Sequence, residues 1–78
     1  MEDLFKKVEM LLSDTGISSK KFWSIHVNSN QNQISMFCYF DKDLAKTLSR
    51  LCEAKLSENG FVEFNFTKYE TSFGIILC

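Results

Sequence analysis

The hydrophobic residues of this chain follow two different spacings, and the sequence switches between them along its 78 residues. Apolar side chains recur at helical spacing over residues 2–14 and again over residues 42–58. After each of these segments they alternate with polar side chains, as in strands that bury one face. The switches predict the element order α-β-β-α-β-β, and therefore an α+β fold.

Four segments predict strands, namely residues 22–28, 33–40, 61–67 and 71–77. The polar run at residues 28–33 is typical of a hairpin loop, and residues 68–70 form a second, shorter turn. We expect two helices packed on one face of a single four-stranded, mainly antiparallel sheet. The order of one helix and two strands occurs twice with a period near 40 residues, which is the pattern of an internal αββ repeat.

Length and composition indicate a single domain over residues 1–78. A chain of this length buries roughly 60% of its unfolded surface, and a hydrophobic content of 45% is sufficient for a core. The net charge of −1 gives no strong attraction to nucleic acid or to an anionic membrane. The sequence begins with Met1, Glu2 and Asp3 and shows no apolar signal core, so we expect a cytoplasmic protein that does not associate with membranes.

The residues that could carry chemistry are few and scattered. Cys38, Cys52 and Cys78 have neither the number nor the spacing of a disulfide framework or a zinc site. Cys38 and Cys52 fall on apolar stripes, which is typical of small core side chains. His26, the single histidine, alternates to the opposite side of the sheet from Cys38, so the two do not predict a catalytic pair. The sequence therefore predicts no enzyme, no metal site and no cofactor.

The most informative feature is the sheet face that the helices leave open. Large apolar residues clustered on an exposed surface usually mark an interaction site, and aromatic residues are favoured as interface anchors. Strand alternation places on this face the apolar residues Phe22, Phe37, Tyr39, Phe61 and Ile76, among Ser24, His26, Ser35, Glu63, Asn65 and Thr67.

These residues favour a protein-interaction module of inhibitor or adaptor type, which binds a protein partner or a second copy of itself. A homo-oligomer is the expected form. Small inhibitors encoded by phages and mobile elements are often of this size, although no motif here points to them. The predicted partner-binding residues are Phe22, Phe37, Tyr39 and Phe61, with His26 and Glu63 among them and Asn30 and Gln31 of the hairpin loop at the rim.

Two alternatives stay open at this point. Aromatic side chains on an open sheet can stack the bases of single-stranded nucleic acid, but this face carries Glu63 and its predicted strands offer no Lys or Arg to it. The other alternative is an enzyme subunit whose site combines His26 and Glu63 of neighbouring chains at an oligomer interface.

One charge pattern has a regular spacing. Lys42, Lys46 and Arg50 lie four residues apart, so they stack along one side of the second predicted helix. Such a stripe could contact phosphates or an acidic partner. A solvated helix face is the simpler explanation, since the whole chain is close to neutral.

Overall fold

A computed structural model describes residues 4–78, which form an α+β fold of two helices and one five-stranded mixed sheet. The α+β prediction is therefore confirmed. The predicted helix start at Glu2 lies outside the described residues. In chain order the elements are α1 (Leu4–Thr15), β1 (Phe22–Asn28), β2 (Gln33–Cys38), α2 (Lys42–Ser49), β3 (Ala54–Leu56), β4 (Val62–Lys68) and β5 (Thr71–Leu77), with a 3-10 turn at Ser19–Lys21 before β1.

The strand order across the sheet is β1-β2-β5-β4-β3. β2 and β5 pair in parallel at the centre, and the other three pairs are antiparallel. The prediction of four mainly antiparallel strands thus needs two corrections, a fifth strand and a parallel central pair. The parallel pair joins two hairpins, β1–β2 and β4–β5, that are far apart in sequence, and no local signal indicates such a pairing.

The second predicted helix, over residues 42–58, is wrong over its second half. α2 ends at Ser49, and Ala54–Leu56 forms the short edge strand β3, which pairs with β4. Helical spacing continues past Ser49, but intrinsic helix preference is weak and pairing with the otherwise free edge of β4 overrides it. Gly60, with φ 84°, consequently lies in the turn between β3 and β4, whereas the sequence predicts it as a helix stop.

The sequence predicts Gly16 as the end of the first helix and Asp41 or Asp43 as the cap of the second, and both predictions are confirmed. Gly16 has φ 73° and donates its backbone N–H to the Leu12 carbonyl at 2.9 Å, which ends α1. The Asp41 carboxylate accepts the backbone N–H groups of Asp43 and Leu44 at 2.9 and 3.1 Å, which caps α2.

The core lies on what we call the inner face of the sheet. Buried side chains of both helices meet those of the inner face there in one continuous cluster. This burial is the main source of the fold's stability. The cluster comprises Leu4, Val8 and Leu11 of α1, Leu44 and Leu48 of α2, and Ile34, Met36, Cys38, Phe64, Phe73, Ile75 and Leu77 of the strands.

A β-bulge at the start of β1 changes which side chains face the core. The pairing of β1 with β2 shifts register between Phe22 and Ser24, so that Phe22 lies opposite the buried Cys38 and Ser24 lies opposite Phe37. Residues directly opposite each other in a sheet share a face, so Phe22 packs against the core. Trp23 is displaced to the other side and is 54% exposed. The predicted orientations of both residues were therefore wrong, because one extra residue in a strand resets its alternation.

The turn between β4 and β5 has a strained backbone. Both of its central residues, Tyr69 and Glu70, have positive φ angles, of 53° and 59°. This conformation closes two-residue hairpins well, but it favours Gly and Asn. Tyr69 occupies it because its side chain is used elsewhere: the hydroxyl donates to the Asp14 carboxylate at the end of α1, and the ring packs edge-on against Phe73.

We predict that Glu70→Gly stabilises the protein, because glycine adopts this backbone conformation without a steric penalty. The free energy of unfolding in urea should rise by about 1 kcal/mol. Thr67→Gly is the matched control, since Thr67 is an exposed residue of the same hairpin with ordinary strand geometry, and it should destabilise the protein. A loss of stability in Glu70→Gly would show that this turn carries no such strain.

Candidate interaction surface

Four ring-bearing side chains form a cluster on the outer face, the side of the sheet opposite the core. Trp23 lies 5.6 Å from Phe37 and 6.3 Å from Tyr39, measured between ring centroids. His26 meets the edge of Phe37 at 5.5 Å, with its ring plane nearly perpendicular. These distances and tilted geometries are those of favourable aromatic pairs. We call Trp23, His26, Phe37 and Tyr39 the aromatic cluster.

The cluster is open to solvent. Tyr39 is 74% exposed and Trp23 is 54% exposed, while Phe37 is half-buried. Phe64 on the opposite face is only 1% exposed, so the two faces differ sharply. Neither of the two exposed rings is covered by the helices or loops of the described chain.

The bulge and the strand register create the cluster. The bulge turns Trp23 outward, and the pairing of Ser24 with Phe37 places Phe37 between the rings of Trp23 and His26. The Ser24 hydroxyl is within hydrogen-bond distance of His26 Nε2, at 2.8 Å, which fixes the histidine ring. Sequence reasoning missed Trp23, since a bulge leaves no simple mark in the hydrophobic alternation.

The outer face becomes polar away from the cluster. Ile76 of β5 lies beside Phe37, and Glu63 of β4 lies beside Ile76. Lys55 of β3 lies opposite Glu63, so this face carries a basic residue that the prediction of four strands did not include. In the next row Gly74 lies beside Asn65, and a Cβ atom on Gly74 would meet Asn65 Oδ1 at 3.2 Å.

Some predicted site residues do not join the cluster. Asn30 and Gln31, predicted at the rim of the interface, are exposed, but their loop lies at the other end of β1 from Trp23. Phe61 is 39% exposed and directly precedes β4, which is separated from β2 by β5. Glu63 shares the outer face with the cluster but lies about 10 Å from β2, two strand spacings away.

The basic stripe belongs to another part of the molecule. Lys42, Lys46 and Arg50 are all exposed, and Arg50 follows the last residue of α2 as its C-terminal cap. Leu44 and Leu48 turn the other side of this helix to the core. The stripe is therefore a solvated helix side that does not extend the aromatic cluster.

The cysteines are placed away from His26. Cys38 is fully buried on the inner face, and its burial raises the pKa of its thiol to about 11. Burial also raises the pKa of Cys52. Within residues 4–78 no three His, Cys, Asp or Glu side chains come together as a metal site requires. No helix in the described part of the chain is long and apolar enough to cross a membrane.

A polar cleft of about 270 Å³ lies between the end of α1 and the start of α2. Two of its charged groups form an ion pair, in which Lys21 Nζ lies 2.6 Å from the Asp41 carboxylate. The hydrogen bond from Lys21 lowers the pKa of Asp41. Because Asp41 also caps α2, the cleft holds this carboxylate in a structural role.

Comparison with known proteins adds no identification: no family model, no curated protein and no solved structure matches this chain. The functional argument therefore rests on the outer face alone.

We predict that the three thiols react at very different rates with a thiol reagent at pH 8. Cys78 is exposed and should react fastest, and Cys52 is half-buried and should follow. Cys38 should react only when the protein unfolds, because a thiol with a pKa of about 11 is only ~0.1% thiolate at this pH and is also shielded from the reagent. Mass spectrometry of the labelled peptides gives the order; early labelling of Cys38 in folded protein would contradict its placement in the core.

Proposed function

We propose that this protein is a non-enzymatic interaction module that binds another protein through the aromatic cluster. The observation that carries the proposal is the exposure of Tyr39 and of Trp23, whose ring contacts both Tyr39 and Phe37. Water does not favour such a surface, and large apolar side chains grouped in this way mark interfaces. An inhibitor or adaptor that occupies a partner's surface would use it directly.

The energetics are adequate for recognition. Burying a large apolar side chain completely contributes about 1.5–3 kcal/mol. Trp and Tyr dominate measured hot spots because they bury a large area at a small entropic cost. Here Trp23 lies in β1 and Tyr39 directly follows β2, and the ring of Trp23 contacts those of Tyr39 and Phe37. The cluster is thus preorganised, which reduces the cost of binding.

The charges around the cluster favour a protein partner over single-stranded nucleic acid. Neither β1 nor β2 carries a charged residue. On the far half of the outer face, Lys55 and Glu63 lie opposite each other in neighbouring strands, so their opposite charges offset each other. Nucleic-acid binding through stacked bases also needs positive charge to follow the phosphate backbone, and the strands that carry the cluster provide none.

The enzyme-subunit alternative has one feature in its favour, the distance of 2.8 Å between Ser24 and His26, which is within the range of a nucleophile–base pair. A working pair needs a group that orients the histidine and a pocket that holds the substrate. Glu63, the carboxylate on this face, is three strands away from His26. We therefore assign Ser24 to positioning the His26 ring within the cluster.

The proposal predicts that Tyr39→Ser weakens binding by at least about tenfold, as expected when a hot-spot aromatic is lost. The matched control is Phe40→Ser. Phe40 is also exposed, at 58%, but no ring contact joins it to the cluster. Proteins captured from a cell extract by each variant should be quantified against those captured by the native chain. Equal capture by Tyr39→Ser and Phe40→Ser would contradict the proposal.

A stability measurement checks the assignment of the two faces. Tyr39→Ser should leave the urea midpoint nearly unchanged, whereas Phe64→Ser should cost about 3–5 kcal/mol and unfold the chain. Trp23 is the only tryptophan, so its fluorescence also reports directly on the cluster. Quenching by an oligothymidine at low salt, with reversal at high salt, would instead favour the nucleic-acid alternative.

A further inference from the structure

We infer that one partner of this module is a second copy of the chain, which pairs antiparallel with the free edge of β1. This inference rests on the proposed function and names a partner that binds next to the aromatic cluster. The two five-stranded sheets would join along β1 into one continuous ten-stranded sheet with a two-fold axis through the centre of the strand pair.

The two edges of the sheet differ in how they are protected. β3 has three residues, and Lys55 stands at its centre. Short length and a lysine are the common devices that keep an edge from pairing with another chain. β1 has seven residues, without a charge or a proline. Its bulge lies at the first residues only, so Ser24–Asn28 remains regular against β2 and leaves an unpaired edge.

The sequence of β1 is complementary to itself. In an antiparallel pair, residues directly opposite each other lie on the same face of the sheet. Ile25 and Val27, which are half-buried at the edge of the core, would therefore meet the same apolar residues of the other copy. Ser24, His26 and Asn28 would meet each other on the outer face, where each offers both donors and acceptors. β1 carries no Asp, Glu, Lys or Arg that would oppose this contact.

The edge is also continuous with the aromatic cluster. Trp23 and His26 belong to β1 itself, and Phe37 lies on the neighbouring strand. Pairing through β1 places the two clusters on one shared outer face. A protein that bound the clusters would then contact both copies.

A charge-swap experiment tests this inference. When the regular segment Ser24–Asn28 pairs with itself over its whole length, His26 lies at the two-fold axis and Ile25 lies opposite Val27 of the other copy. His26→Glu and His26→Lys should each weaken self-association about tenfold or more, because like charges face each other across a strand pair. An equimolar mixture of the two variants should restore association. The same pair of substitutions at Thr67, which is exposed on β4 of the same face, should have no effect.

Amide hydrogen exchange distinguishes pairing at the edge from packing between outer faces. In the native protein, amide groups of β1 that exchange freely at low concentration should become protected at high concentration. The exchange rates of the β3 amide groups should not change. Association without this protection would overturn edge pairing, and so would a mixture of His26→Glu and His26→Lys that fails to associate. Neither result would contradict the proposed binding through the aromatic cluster. A monomer by light scattering up to about 100 μM, a concentration at which weak specific dimers are populated, would also overturn it. The capture comparison of Tyr39→Ser with Phe40→Ser then decides the proposed function by itself.

Discussion

The parallel pairing of β2 with β5 is the interaction on which the rest of the structure depends. An isolated hairpin is marginally stable in water, and this pairing joins two hairpins into one sheet. Its register sets Ile34 beside Phe73, Met36 beside Ile75 and Cys38 beside Leu77, all of them buried. A slip of one residue in either strand would turn these side chains to the outer face. The position of Phe37 beside Ile76, and with it the character of the outer face, follows from the same register.

The sequence predicted those structural features that depend on residues close together in the chain. The caps at Gly16 and Asp41 and both hairpins depend on neighbouring residues, and they were found at the expected positions. β3 and the central parallel pair depend on contacts between distant segments, so the sequence did not predict them. For β3, the helical spacing of apolar residues near residue 54 also indicated a helix.

The candidate site divides in the same way. Alternation was sufficient to place Phe37 and His26 on the outer face, because β1 and β2 are regular there. It failed at Phe22 and Trp23, where one unpaired residue reverses the pattern. The error exchanged one aromatic residue for its neighbour, so the predicted kind of surface was kept while its membership changed. The prediction from alternation also missed Lys55, which lies on the outer face as part of β3, a strand that was not predicted.

The two ends of the sheet satisfy their polar groups differently, and this asymmetry supports a binding role for one of them. At the loop end, Lys7 Nζ donates to the Thr71 hydroxyl at 2.7 Å, and Thr71 donates to the Asn32 side chain at 3.1 Å. The Asn32 carbonyl accepts the Ser72 N–H at 3.1 Å, so the two hairpins are held together there by internal hydrogen bonds. Such a network rigidifies the end of the fold that carries it. The opposite end is joined by main-chain hydrogen bonds, from the Phe40 N–H to the Cys78 carbonyl and from the Cys78 N–H to the Cys38 carbonyl, and it exposes the rings of Trp23 and Tyr39. The sheet is thus held at both ends, and a fixed backbone beneath the aromatic cluster would reduce the cost of the binding proposed above.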